Sequence, residues 1–137
     1  MAIELDHVIL PVGDLARSAA FYAEILGLAL EPESERFALL RVTPTFGIQL
    51  AAWGTSGGQQ LAFGMSQHEF EAAFARIVAA GIPYGGSFDT VGSMTEPGDE
   101  TGARGIGKSL YFFDPDRHLI EIRHYGEPQR RDAPIDS

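Results

Sequence analysis

The chain has 137 residues, 45% of them hydrophobic and 21% charged, which is enough apolar content to bury a core and too much for a disordered chain. It has no cysteine, which excludes disulfides, thiolate zinc sites and cysteine nucleophiles. Its net charge of −9, with Lys108 the only lysine, would repel a phosphate backbone or an anionic bilayer, so neither nucleic acid nor membrane is an expected partner. No apolar run approaches a membrane span, and MAIELDH carries acids where a signal peptide carries basic and apolar residues; a cytoplasmic protein is expected.

In chain order, the first strand pattern covers Leu5 to Val12. Leu15, Ala19, Tyr22 and Leu26, with Ile25 beside them, then form one apolar stripe at helical spacing. Asp14 is placed to cap that helix and Gly27 to end it in a left-handed turn. Strand-like segments follow at Leu28–Glu31, Phe37–Val42 and Phe46–Ala52, and Gly54 to Gly58 is a flexible joint. The pattern then repeats. A strand is expected over Gln60–Met65 and a helix carrying Phe70, Phe74, Ile77 and Val78. That helix opens at Ser66 with Glu69 in a capping box and stops at Gly81. Tyr84–Phe88, Ser109–Phe113 and Leu119–Tyr125 complete the second set of strands. The caps Asp14 and Ser66 lie 52 positions apart and His7 and Gln60 lie 53 apart, so the chain reads β-α-β-β-β twice. This predicts one α+β domain over 1–137, with a first module at 3–53 and a second at 59–126. The tail 127–137, with Pro128, Arg130, Arg131 and Pro134, is expected to be poorly ordered.

The halves differ at Gly85 to Gly107, which holds seven glycines and little apolar content. Such a segment is either a lid over a pocket or an idle loop.

Side chains alternate across a strand, so parity assigns faces. Leu61, Phe63 and Met65 form a bulky face opposite Gln60, Ala62 and Gly64. Ile120 and Ile122 oppose Glu121 and Arg123; Ile48 and Leu50 oppose Gln49; Val8 and Leu10 oppose His7. Each of these polar residues taken singly is most simply a solvated strand residue. Their equivalence sets them apart: His7 matches Gln60, and Gln49 matches Glu121. His68 and His118 are expected at the surface, the latter in the turn Asp114-Pro115-Asp116-Arg117. His124 shares parity with Ile120 and Ile122 and is expected near a helix.

LDHVILPVGDLARSAAFYAEILGL at 5–28, GQQLAFGMS at 58–66 and GARGIGKSLYFFDPDRHLIEIRHY at 102–125 resemble the vicinal oxygen chelate superfamily. That group includes glyoxalase I, fosfomycin-resistance enzymes, extradiol dioxygenases and bleomycin-resistance binding proteins. The resemblance implies that such modules pair into a curved eight-stranded sheet whose central cup, built within one chain or between two, holds a divalent metal. Its ligands would be His7, Gln60 and Glu121, with Gln49 as a fourth ligand or pocket residue and Glu121 also as the catalytic carboxylate. Gln60 stands where such enzymes often carry His, and Arg117 where the family usually has Gly. The donor set carries one formal negative charge and suits Mn²⁺, Fe²⁺, Ni²⁺, Co²⁺, Mg²⁺ or Zn²⁺, with neutral amide oxygens weaker than a second imidazole. Tyr111, Lys108 and Arg123 are candidate contacts for a small-molecule substrate, Arg123 alternatively pairing with an acid at the rim.

Two functions follow from this. The first is a small metal-dependent enzyme that chelates adjacent substrate oxygens and stabilises an oxyanion or enolate. Isomerase, lyase, group-transfer and dioxygenase chemistry all remain open within it. The second, which Gln60 keeps open, is a metal-free protein that sequesters a small molecule in the same cup. Exposed sheet edges and helix faces, together with the resemblance, predict a C2 homodimer burying at least roughly 1,200 Å².

Overall fold

The computed structural model describes residues 3–126, so the expectation for the tail lies outside the described residues. Two compact units emerge, and they track the repeat. The first unit runs to Gln59 and also takes in Asp114–His118; the second starts at Gln60 and takes in the chain from Leu119. The boundary falls beside the expected joint.

The first unit contains β1 (His7–Pro11), α1 (Leu15–Leu26), β2 (Ala29–Pro32), β3 (Phe37–Thr43) and β4 (Phe46–Ala51). Its sheet has the order β1-β4-β3-β2, with β1 parallel to β4. Asp14 caps α1 by accepting from the Arg17 N–H, and Gly27 ends it at φ 72°, a left-handed conformation that glycine adopts without steric cost. The α1 stripe buries Ala19, Tyr22 and Ile25 in a core with Leu10, Leu40, Ile48 and Leu50. Each large aliphatic side chain fully withdrawn from water contributes about 1.5–3 kcal/mol.

The turn Asp114–His118 is the unexpected component of this unit. His118 is 0% exposed, which corrects the expectation of a surface turn. Its Nδ1 accepts from the Gln59 N–H at 3.2 Å, so the ring proton sits on Nε2 and is donated to the Pro11 carbonyl at 2.8 Å. Asp114 accepts the Tyr22 hydroxyl and the N–H groups of Asp116 and His118. Asp116 accepts from the Gly13 N–H and the Ser18 hydroxyl. A segment of the second repeat in sequence is thereby built into the first unit by buried hydrogen bonds. Arg117 adopts φ 69°, the left-handed conformation that a glycine takes freely, which accounts for the residue type expected there.

The second unit contains β5 (Gln60–Gly64), α2 (Gln67–Ala79), β6 (Tyr84–Gly85), β7 (Gly98–Gly102), β8 (Gly105–Phe113) and β9 (Leu119–His124). Its main order is β5-β9-β8-β6, with β5 parallel to β9 as β1 is to β4, and β7 pairs with β8. The Ser66–Glu69 capping box opens α2 as expected. Phe70, Ala73 and Ile77 are buried, whereas Val78 is 54% exposed and does not belong to the buried stripe. His68 is exposed and His124 packs edge-on to Phe70 with centroids 4.7 Å apart, both as expected.

The α+β pattern of two β-α-β-β-β modules is present, with one addition. The Gly-rich segment contributes β7, so the strands form a four-stranded and a five-stranded sheet. Its C-terminal part is a regular hairpin, Asp99 opposite Lys108 and Thr101 opposite Ile106. Glycine abundance concealed a strand because its ladder comes from backbone groups, while the side-chain pattern of Gly-Asp-Glu-Thr-Gly reads as a loop.

Candidate functional site

Register confirms the equivalence read from the sequence. His7 stands beside Gly47 and Ile9 beside Gln49 in the first sheet; Gln60 stands beside Leu119 and Ala62 beside Glu121 in the second. Gln60 and Glu121 therefore share one sheet face, as do His7 and Gln49.

In the second unit, antiparallel pairing sets Tyr111 opposite Glu121 and Ser109 opposite Arg123. All four side chains lie on the Gln60 face, and unlike an ordinary open sheet face this one is covered: Glu121 and Arg123 are each 5% exposed. Glu121 Oε2 accepts from the Ser109 hydroxyl at 2.7 Å and from Arg123 Nη1 at 2.7 Å. Arg123 thus pairs with an acid, in the interior instead of at the rim. Burial opposes the Arg123 charge, but its hydrogen bond and attraction to Glu121, followed by Tyr125, more than offset this and raise its affinity for the proton. The Tyr111 hydroxyl is pushed up to about 12, first by burial and then by the charge of and hydrogen bond to Glu121. At neutral pH it is a donor. Gln60 itself is exposed. Lys108 lies on the opposite face, beside His124, and its Nζ pairs with Asp99 at 2.8 Å. It does not share a surface with Tyr111 and Glu121.

In the first unit, Asp6, His7, Glu33, Leu39, Arg41, Thr45, Gly47 and Gln49 line a hollow of about 300 Å³. His7 is half-exposed, and its Nδ1 meets Asp6 Oδ2 at 2.7 Å. With the Nδ1 proton held by that carboxylate, the Nε2 lone pair is available to a cation or a proton donor. Gln49 donates to Glu33 at 2.9 Å, and Arg41 makes a two-pronged contact with Glu31.

Sequence reasoning did not single out Ser109, Asp6 or Glu33. Parity gives Ser109 in retrospect, since it lies two residues before Tyr111 on the same strand. Glu33 lies outside the strands, where no periodicity marks it, and Asp6, inside the strand expected from Leu5, falls by parity on the face opposite His7 and precedes β1.

Among the described residues there is no group of three or more His, Cys, Asp or Glu side chains arranged to hold a metal. The implied ligands still fit a divalent ion by donor type. They offer an imidazole nitrogen with its other nitrogen already engaged, a carboxylate with acceptor capacity left on Oε1, and an exposed amide. The charge balance is less favourable, because Arg123 neutralises the single carboxylate.

A family profile described as Glyoxalase/Bleomycin resistance protein/Dioxygenase superfamily matches residues 4–122. The chain belongs to this superfamily. Among its relatives in the glyoxalase superfamily, Virulence protein STM3117 of Salmonella typhimurium is 32% identical over 136 residues, covering 88% of this chain and 83% of that one. Glutathione transferase FosA of Serratia marcescens is 28% identical over 133 residues, covering 92% and 83%. The solved structure of Oxidase ChaP-H1 superposes with a TM-score of 0.73 at 29% identity, covering 90% of this chain and 96% of that one. No helix among the described residues is long and apolar enough to cross a membrane.

Proposed function

We propose that this member of the glyoxalase superfamily is a small divalent-metal-dependent enzyme acting on a small, oxygen-rich molecule. The observation that carries the reading is the closing carboxylate Glu121, buried and oriented by Ser109, Arg123 and Tyr111 on the strand face that also bears Gln60. A carboxylate withdrawn from water and held by three side chains is costly to maintain for stability alone. Gln60 and Glu121 are the ligands the second unit would offer the ion, and His7, with Gln49 as a fourth ligand or a wall of the pocket, those the first unit would offer, in one chain or in two. A divalent ion bound there would act as a Lewis acid toward two adjacent substrate oxygens, favouring development of oxyanion or enolate charge.

The chain's own groups divide the remaining work. Glu121 moves a proton to or from the substrate, and Ser109 fixes which oxygen it presents. Tyr111, protonated at neutral pH, donates its single O–H to Glu121 and so orients the carboxylate. Arg123 balances the carboxylate. FosA is named a glutathione transferase and ChaP-H1 an oxidase, so group transfer and oxidation both have precedent among the relatives.

The Glu121–Arg123 pair also favours a second reading, a metal-free protein that sequesters a small molecule, because a carboxylate already neutralised binds cations weakly. The test is the metal content of protein purified without added metal, then calorimetric titration with Mn²⁺, Fe²⁺, Ni²⁺ and Zn²⁺. Binding of any of these, lost in Glu121→Gln, supports the enzyme; no binding near neutral pH supports the sequestering protein.

We also propose a cytoplasmic C2 homodimer. Supporting it, β1 and β5 each lie at an edge of their own sheet, and Ile9 and Val78 are exposed apolar residues. Sedimentation equilibrium giving twice the 14.8 kDa chain mass is expected; the single-chain mass would refute the dimer.

A further inference from the structure

One side chain ties the β7–β8 hairpin to the closing carboxylate. While Nη1 of Arg123 binds Glu121, Nη2 donates to the Glu100 carbonyl at 2.8 Å and to the Gly105 carbonyl at 3.3 Å, one acceptor on each strand of the hairpin. The guanidinium lies over the Tyr125 ring, 5.0 Å from its centroid. The glycines there shape a slot. A Cβ on Gly102 would fall 2.4 Å from Arg123 Cζ and 2.7 Å from the Tyr125 hydroxyl, and one on Gly107 would fall 3.1 Å from Arg123 Nη2. Within this enclosure the buried Arg123 Nε finds no acceptor. A buried donor left unpaired marks a position held by the other contacts of the group.

We propose that Arg123 is the resident counter-ion of Glu121 and sets the affinity of that carboxylate for any other cation, with the β7–β8 hairpin loosening as the guanidinium lets go. A guanidinium stays charged throughout the accessible pH range, so it cannot step aside by losing a proton. A divalent cation arriving at Glu121 meets a carboxylate whose charge is already shared, and a like charge nearby weakens its binding by the same Coulomb energy that shifts a pKa. Moving the guanidinium away gives up its bonds to Glu100 and Gly105, which pin the hairpin. Arg123 is thus a positioning residue, and the Gly-rich segment responds to events at Glu121. This inference rests on the reading of Glu121 as a cation ligand.

The experiment has two arms. Without metal, amide exchange over residues 98–107 is compared in the unmodified chain, Arg123→Gln and Gly102→Ala. The second variant keeps the arginine and pushes it from its slot, so it serves if Arg123→Gln does not fold by circular dichroism. Exchange faster in both is expected; unchanged exchange overturns the link to the hairpin. In the other arm, Mn²⁺ is titrated calorimetrically into the same proteins and Glu121→Gln. Affinity should rise about tenfold or more in Arg123→Gln, the scale on which a neighbouring charge moves carboxylate equilibria, and in the same direction in Gly102→Ala. It should be lost in Glu121→Gln. Equal Mn²⁺ affinity with and without Arg123, lost only in Glu121→Gln, overturns the counter-ion role and leaves the metal reading standing. Absence of Mn²⁺ binding in every protein, Arg123→Gln included, overturns the metal reading and this one with it.

Discussion

Parallel pairing of β1 with β4 puts Ile9 beside Gln49, and parallel pairing of β5 with β9 puts Ala62 beside Glu121, so the two polar residues occupy one position of a duplicated frame. Gln49 is half-buried in an open hollow and donates to the exposed Glu33. Glu121 is buried, accepts from Ser109 and Arg123, and has Tyr111 beside it. The second unit also has β7, for which the first unit has no counterpart. The hairpin it forms with β8 supplies the Glu100 and Gly105 carbonyls that hold Arg123 in place. Backbone duplication sets where a side chain stands, and its partners, Ser109, Tyr111 and Arg123 for Glu121, differ between the two units.

The sharpest way to break this comparison is to truncate both positions. Removing one partner of a buried ion pair strands the other, so Arg123→Ala is expected to cost about 3–5 kcal/mol in urea unfolding. Gln49→Ala, at the equivalent face of the first unit, should stay within about 0.5 kcal/mol, as partly exposed polar positions do. Similar losses at both would show that the covered and open faces do not differ as described.

A smaller effect concerns the tyrosine that each unit sets against a buried carboxylate, Tyr22 on Asp114 and Tyr111 on Glu121. Tyr22→Phe removes a donor from Asp114 and should cost about 1.5–3 kcal/mol, the range for a hydrogen bond to a charged group. Both phenols are raised, Tyr111 to about 12 and Tyr22 further, in each case by burial first and then by the adjacent carboxylate. A free phenol titrates near 10, so from about pH 10 upward the unfolded chain releases protons that the folded chain keeps. Their contribution is fully present below about pH 10 and declines through about pH 12 for Tyr111. Urea midpoints should therefore fall steeply in alkali, and less steeply in Tyr22→Phe. A flat profile would contradict the buried contacts of both phenols.

The smallest effect is expected at Arg41, whose contact with Glu31 lies beside the first unit's hollow. Although the pairing lowers Glu31 and raises Arg41, both groups are solvated, and Arg41→Gln should leave the unfolding midpoint unchanged at physiological salt. A clear drop would show that the first unit also depends on a charged pair.

Much of this contrast was legible in the sequence. Periodicity and caps located both helices, because Asp14, Gly27 and the Ser66–Glu69 box act locally. The repeat and strand parity placed Glu121 and Arg123 on one face. What escaped was whatever depends on partners distant in sequence: the burial of His118 against Pro11 and Gln59, and the capture of Arg123 by backbone carbonyls of both strands of the glycine-rich hairpin. Neither leaves a periodic trace. Tyr84–Phe88 was expected as a strand and only Tyr84–Gly85 pairs, because Ser87 and Thr90 close a turn there through their hydroxyls.

Paramagnetic relaxation tests most directly the proposal that Glu121 receives a divalent ion. Substoichiometric Mn²⁺ added to isotope-labelled protein should first broaden the Gln60 side-chain amide and the backbone resonances of Ala62, Tyr111 and Glu121, and Glu121→Gln should abolish the effect. Broadening centred on other carboxylates with these signals intact, or none at all, would contradict the account.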